Sequence, residues 1–568
     1  MKIGGQSSTL HGGSLESRGG RFVPPLFASL LPFALSTLLS APVAAATTLT
    51  VDLSTTTGPV THAASGSLYG VTEKLPADVM ALIAPLHPRM FNNPAADQQQ
   101  PVGDAIVVAG RLAPTGAMVT IRLADWFKGF YTFTTMADWF DKLGQTVSRK
   151  KAANLTNIYA YEIWNEPNGT YSSNNPLSFN EFWRQSFAKL RELDPGVKIT
   201  GPSFSFYNEA SLKSFLSFCK TNSCLPDIVG WHELGGGNLT GTLQSYRALE
   251  KQLGIGPLPI SINEYSGGGD LAVEGQPGAS APLIAKFERF GVDSACISFW
   301  DVPHPGRLGS LLATNTDPNG GWWFYKWYGD MTGNMVSTTP PTPQSATALD
   351  GFANLDAPSG SASVLFGGVN DGSIQIVVKG FKAAPYFGNT VHAVVEHTPF
   401  ANRSTVVKAI ETLSTADLPI ANDQVTVSVA NANAKDGYRL RLISLTGGAG
   451  AAGAAAGGAA AGGAAGGGTN PNGAGGVTST GGNAGGSGLS DSVGGGGPGG
   501  LPSSTGGGMT GGDTGAAGNL SAANGGGASG CTCQLKRSPT KPPAAALLLL
   551  FSLFGIRRTK RSRCRARG

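Results

Sequence analysis

From Ser67 onward, short apolar runs alternate with stretches whose apolar residues recur every three to four positions. This is the rhythm of strands each followed by an amphipathic helix. Strands are predicted at Leu68–Thr72, Arg89–Phe91, Ala117–Trp126, Ile158–Glu166, Lys198–Phe204, Asp227–Leu234, Pro259–Tyr265 and Ser294–Val302. Helices are predicted over Ala77–Leu86, Asp104–Leu112, Met136–Asn154, Ser178–Leu193, Ala210–Thr221, Leu243–Leu253 and Ala281–Phe290, and an aromatic one around Trp322–Tyr328 closes the series. Eight βα units in succession predict an α/β protein whose residues 67–335 form a closed parallel (β/α)8 barrel. Beyond Met335 a run of Thr and Pro, Thr338–Pro343, reads as a linker. Strands at roughly ten-residue spacing follow at Ala348–Leu355, Ala362–Val369, Ser373–Lys379, Thr390–His397, Val406–Leu413, Gln424–Ala430 and Tyr438–Leu445. They predict an antiparallel β-sandwich over residues 336–446, with Asp371-Gly372 as a two-residue hairpin turn.

Composition sets the limits of this folded body. Residues 447–530 hold 36 of the 82 glycines, no Lys or Arg, and only Asp491 and Asp513 as charges. With almost nothing apolar to bury, they are expected to be a flexible tether. The first 46 residues read as a secretory signal: Lys2, Arg18 and Arg21, an apolar run from Val23 to Leu39, then Ala44-Ala45-Ala46 as a cleavage site. A buried or membrane-spanning helix is the alternative, and Pro24, Pro25 and Pro32 weigh against it. At the other end, Cys531 and Cys533 precede a 13-residue apolar run, Ala544–Ile556, and then a cluster of arginines. That run is shorter than the ~17–25 residues needed to span a bilayer. The net charge of +5 comes from the two ends, ten basic residues lying beyond Cys531, and the body between them is acidic. An acidic body offers no footprint for nucleic acid. Cys219 and Cys224 lie close enough for a local disulfide, Cys296 reads as core, and no spacing suggests a metal or a cofactor.

Candidate chemistry sits at two predicted strand ends. Tyr161–Asn168 reads YEIWNEPN, and Pro167 stops the strand just after Glu166. On this strand Glu162, Trp164 and Glu166 share parity, and Glu162 lies deeper, in a structural position. Glu264, 98 residues further on, ends the seventh predicted strand, where it shares parity with Ile260 and Ile262. Strands four and seven of an eight-membered ring face each other across its mouth. Two carboxyls there fall near ~5–5.5 Å, the separation for double displacement at a sugar carbon.

The Trp164-Asn165-Glu166-Pro167 motif, paired with Glu264 on strand seven, resembles the acid/base and nucleophile arrangement of the clan A glycoside hydrolases, which are TIM barrels. The YEIWNEPN strand, the Asp227–Glu233 strand (DIVGWHE) and the barrel-plus-sandwich layout most resemble family 39, the β-xylosidase-like group; families 5, 30, 51 and 79 share the two glutamates. The resemblance implies a retaining enzyme that cleaves β-glycosidic bonds of an oligo- or polysaccharide. Glu264 would be the ionised nucleophile, and Glu166 an acid/base kept protonated by its charged neighbour and by Trp164. It further implies that Asn165 holds the sugar 2-hydroxyl, that Trp300 is an aromatic platform, and that His232 lines the subsite, with Glu233 departing from the family pattern beside it. Asp125 and Trp126 are candidates for sugar hydroxyls, and Tyr265 either bonds the nucleophile or packs. Arg89 and Arg122 are both candidates for the arginine that steadies the nucleophile, and Arg89 is preferred. Barrels of this clan often give their sandwich an N-terminal strand, here Thr48–Leu53 within residues 47–66. The C-terminal region, 531–568, resembles the Cys-containing sorting signals of myxobacteria, which implies display at the membrane or cell surface. The competing reading is a carbohydrate-binding surface barrel that does not turn over; an adhesin is a third.

Overall fold

The computed structural model describes residues 47–96, 103–127, 131–235, 237–267, 273–298, 308 and 310–445. The predicted leader, tether and C-terminal signal lie outside them, as does Trp300. Among the described residues no helix is long and apolar enough to cross a membrane.

Strands β2 (Gly66–Leu68), β3 (Met90–Pro94), β4 (Met118–Arg122), β5 (Ile158–Glu162), β6 (Lys198–Phe204), β7 (Ile228–Trp231), β9 (Ile260–Ser266) and β10 (Ser294–Ile297) form a parallel ring. A two-residue strand, β8 (Glu233–Leu234), continues the sixth stave and pairs with the end of β9. Ile297 pairs with Ser67, which closes the barrel. The predicted (β/α)8 architecture is the observed one. Helices such as Met136–Ala152 and Phe179–Leu193 start where Thr135 and Ser178 cap free backbone N–H groups. They bury Trp139, Leu143, Phe182 and Leu190 against the outside of the ring.

Several strands are shorter than their apolar runs. The first, expected at Leu68–Thr72, instead forms over Gly66–Leu68 and stops there, because Tyr69 takes a left-handed conformation with φ of 53°. The fourth ends at Glu162, four residues before Glu166. A run of apolar residues marks what is buried, and burial continues past the last ladder hydrogen bond into the turn.

The second sheet runs in the order β16-β15-β18-β13-β12-β11-β1-β14-β17. Its strands are β1 (Thr47–Pro59), β11 (Asn334–Thr339), β12 (Asp350–Asp356), β13 (Ser361–Gly367), β14 (Ser373–Lys379), β15 (Thr390–Thr398), β16 (Glu411–Pro419), β17 (Gln424–Ala430) and β18 (Gly437–Ser444). The N-terminal strand joins it as expected, antiparallel to β11 and parallel to β14. That insertion overturns the hairpin expected at Asp371-Gly372. β14 pairs with β1 and β17, whereas β13 pairs with β12 and β18, so the chain crosses between distant strands at this turn. Two further boundaries move: Thr338 and Thr339 belong to β11 rather than to a linker, and the strand expected at Val406–Leu413 forms over Glu411–Pro419.

The two sheets are joined through the helices Pro277–Arg289 and Gly320–Gly329. Phe324 and Tyr328 meet Phe352 edge-on. Gly278 donates its N–H to Lys435 O, and a Cβ there would lie 2.0 Å from Ala434 O, so only glycine permits this approach. Asp350 is buried and takes Lys286 Nζ at 2.9 Å and Arg289 Nη2 at 2.7 Å. Removing one member of a buried ion cluster leaves the others uncompensated. Asp350→Ala is therefore expected to cost about 3–5 kcal/mol in urea unfolding of the full chain. A loss below about 1 kcal/mol, the range of exposed pairs, would show that the cluster does not hold the two sheets together.

Candidate active site

The site is built at the C-terminal end of the barrel strands, from segments that leave the ladder rather than continue it. After β5 the chain turns outward, so Trp164 packs among Trp139, Tyr131, Tyr171 and Phe182 in the aromatic layer outside the ring. Its Nε1 donates to Thr170 Oγ1 at 3.0 Å. The parity expected for Glu162, Trp164 and Glu166 therefore does not hold. Glu166 is brought back by a left-handed residue: its φ is 50°, its N–H donates to Ser203 O at 2.8 Å, and it opens the short helix Pro167–Thr170. A non-glycine residue held in this region is strained, and such residues cluster at functional sites.

Glu264 lies inside β9, two residues before its end, and is fully buried. Its Oε1 accepts from Arg122 Nη1 at 2.7 Å, while Oε2 has no hydrogen-bond partner. His232 follows β7, with Nδ1 2.9 Å from Glu166 Oε1 and 3.6 Å from Glu264 Oε2; its Nε2 is buried without a partner. One ligating atom from each of Glu166, His232 and Glu264 falls within a 4.8 Å cluster. In distance alone that trio could hold a divalent ion, but the Arg122 guanidinium already supplies positive charge at Glu264.

A second tier supports this one. Arg122 ends β4, fully buried, and also donates Nε to Glu162 Oε2 at 3.1 Å and Nη1 to Tyr69 Oη at 3.0 Å. Asn92 donates to the same Glu162 oxygen at 2.5 Å. Asp125 accepts from Tyr69 at 2.6 Å and from Tyr131 at 2.8 Å. Burial pushes its carboxyl up to about 7 despite Arg122 and the two hydroxyl donors. Asn165 donates to Tyr131 Oη at 3.2 Å and leaves its own Oδ1 buried and unpartnered.

Glu166, Glu264 and His232 thus meet at the mouth, Asn165 is tied to Tyr131, and Glu162 ends β5 below them. Other expectations are corrected. Arg89 precedes its strand and so stands at the opposite end of the barrel, where it pairs with Asp293 at 3.1 Å; Arg122, at a strand end, is the arginine on Glu264. Tyr265 points outward, one position out of phase with Glu264, packs on Phe287 and bonds Ala64 O and Tyr325 Oη. Trp126 donates Nε1 to Thr146 on a flanking helix. Asp125 has both oxygens taken by tyrosines, which makes it a support rather than a sugar contact. Glu233 accepts from Trp231 Nε1 at 2.8 Å, and burial pushes it up to about 7. Cys219, Cys224 and Cys296 are buried free thiols, so no disulfide closes the Cys219–Cys224 loop.

Electrostatics also depart from expectation. His232 bonding holds the Glu166 carboxyl below its ordinary value although partial burial opposes it. Burial pushes Glu264 above its ordinary value although His232 and Arg122 oppose it. Trp164 does not take part. Tyr69, Tyr131 and Asn92 were not found in the sequence; they come from loops and strands whose local patterns carry no chemical signal.

A (β/α)8 barrel with paired carboxyl groups at the C-terminal mouth and a β-sandwich beside it defines the class. No family model matches the chain. A structure of N2152 from Neocallimastix frontalis is 45% identical, covers 70% of this chain and 100% of that one, and superposes with a TM-score of 0.68. The chain belongs to the same family as N2152. A monomeric β-xylosidase from Caulobacter crescentus, 15% identical over 70% of this chain and 100% of its own with a TM-score of 0.51, shares the fold. A 3-O-α-D-galactosyl-α-L-arabinofuranosidase from Bifidobacterium longum subsp. longum is 28% identical over 467 residues, 69% of this chain and 40% of the relative. The chain spans less than half the length of the curated relatives it matches.

The position of each arginine can be tested by stability. Arg122→Ala leaves Glu162 and Glu264 buried without their cation and is expected to cost about 3–5 kcal/mol. Arg89→Ala removes a partly exposed pair and is expected to cost under about 1 kcal/mol in the same urea titration. Equal losses would contradict the assignment.

Proposed function

We propose that the chain is a retaining glycoside hydrolase. The observation that carries this reading is the clustering of Glu166 and Glu264 carboxylate oxygens and a His232 nitrogen within 4.8 Å. Inverting enzymes hold their carboxyls about 6.5–9.5 Å apart to admit a water; retaining ones keep them near ~5–5.5 Å. At this separation the second carboxylate reaches the anomeric carbon itself. The 28% identity to a chain named as an α-L-arabinofuranosidase supports the class and puts pentosides first among candidate substrates.

In the mechanism, Glu264 attacks the anomeric carbon and the bond to the leaving oxygen breaks, giving a glycosyl-enzyme. Glu166 donates its proton to the departing oxygen, then takes one from the water that attacks the intermediate. Arg122 holds Glu264 Oε1 and leaves Oε2, the unpartnered oxygen, to react. Asn165 Oδ1, also unpartnered, accepts from a sugar hydroxyl. Carboxyls this close titrate as a pair rather than as two independent groups. Burial raises Glu264 above its ordinary value, and a bound sugar, by removing water from the partly exposed Glu166, pushes that carboxyl upward too, the direction its acid role requires.

The test uses 4-nitrophenyl α-L-arabinofuranoside and β-D-xyloside with their 2-deoxy-2-fluoro analogues. Hydrolysis with covalent labelling of Glu264 is expected. Glu166→Gln is expected to lose about 10²–10⁴-fold on poor leaving groups and far less on activated ones. Sugar binding without hydrolysis or label would instead favour a carbohydrate-binding barrel, and equal losses on both leaving groups would remove Glu166 from the acid role.

A further inference from the structure

One buried carboxylate in the barrel has no part in the mechanism above. Glu162 ends β5, one layer below the reacting pair, and is fully buried. Its Oε2 accepts from Arg122 Nε at 3.1 Å and Asn92 Nδ2 at 2.5 Å, and its Oε1 has no hydrogen-bond partner. The same guanidinium gives Nη1 to Glu264 at 2.7 Å, and its Nη2 is unpartnered. Two dry carboxylates therefore compete for one cation. A residue needed only to hold Arg122 in place could have been an amide, which is neutral and costs less to bury.

We infer that Glu162 is a positioning residue that divides the Arg122 charge between itself and Glu264, keeping the Glu264 carboxylate only partly neutralised and hence reactive. The inference rests on the hydrolase reading and deepens it. Among the described residues, the charged and titratable groups facing Glu264 are Arg122 on β4, Glu166 after β5, His232 after β7 and Cys296 on β10. Those facing Arg122 are Glu162, Glu264, Tyr69 and Asp125. Of these, Glu162 and Tyr69 each reach Glu264 through Arg122, and Glu162 is the one that brings a second carboxylate to that guanidinium. If Glu162 is made neutral, Arg122 is left to Glu264 alone. The nucleophile is then ionised more easily and attacks more slowly, since a better-stabilised carboxylate gains less from bonding to carbon.

The test is the pH dependence of kcat/KM for Glu162→Gln in the full chain, on whichever of the two 4-nitrophenyl pentosides the unaltered protein hydrolyses. Gln keeps the size of the side chain and an oxygen for Arg122 Nε and Asn92. The acid limb is expected to move to lower pH by about half a unit or more, the direction for a carboxyl gaining an opposite charge. Alongside it kcat is expected to fall about 3- to 30-fold with KM little changed. An acid limb that stays in place, with or without a lower melting temperature, would mean that Glu162 is a structural partner of Arg122 and nothing more. Should Glu162→Gln fail to fold, Asn92→Ala decides. It removes a donor from Glu162 and leaves that carboxylate leaning harder on Arg122, so the acid limb moves to higher pH; an unmoved limb overturns the inference. An unaltered chain that hydrolyses no glycoside overturns the hydrolase reading and this inference with it, whereas an active chain with an unmoved limb overturns this inference alone.

Discussion

Arg122 stands at the end of the third barrel strand with almost none of its surface in contact with water, and its charge is the constraint that organises the mouth of the barrel. Moving a cation into so dry a place is costly unless anions and acceptors surround it. The barrel supplies them from four directions: Glu162 from β5, Glu264 from β9, Tyr69 after β2 and, through that hydroxyl, Asp125 after β4. Every strand that ends near this point must therefore end in register. The short first strand follows from this, because Tyr69 leaves the ladder by a left-handed turn; the fourth strand ends at Glu162, and a left-handed turn at Glu166 brings the chain back to the mouth. Strain at those two residues is tolerable because the network beneath them is over-determined.

The β-sandwich bears on the site indirectly. Its first strand precedes the barrel and its remaining strands follow it, so the barrel is closed off at both ends of its sequence by one sheet. The buried cluster of Asp350, Lys286 and Arg289 fixes the helix after β9 against that sheet, and the contacts of Phe352 with Phe324 and Tyr328 fix the Gly320–Gly329 helix. Since Glu264 lies on β9, the position of its carboxylate is braced from outside the barrel as well as from within.

Much of this was legible in the sequence, and the failures share one cause. Periodicity found the eight staves and the strand at Thr48–Leu53, because their apolar runs are regular even where the ladder is short, and the resemblance supplied that strand's place in the sandwich. The glutamate pair was legible because both residues stand near the C-terminal ends of apolar strand patterns, although Glu166 lies beyond the end of β5 and Glu264 inside β9. Side-chain direction was not legible where the strand stopped early: Trp164 and Trp126 face the helices instead of the mouth, and parity carries no information once the ladder ends, whereas Tyr265, still inside β9, follows parity and faces outward. Arg89 was misplaced for a related reason, since a residue before a strand and one after it look alike in a pattern but stand at opposite ends of a barrel. The hairpin expected at Asp371-Gly372 failed because local turn chemistry cannot see that β1, more than three hundred residues away, occupies the neighbouring position.

The central claim is that two carboxyl groups act on one glycosidic bond, one at its carbon and one at its oxygen, from a distance too short to admit a water between them. The stereochemistry of the first-formed product tests it most directly. Proton NMR of the hydrolysis of an aryl pentoside, recorded before mutarotation, is expected to show the released sugar first in the same anomeric configuration as the substrate. Release of the opposite anomer would mean that water attacks directly, and would contradict the account.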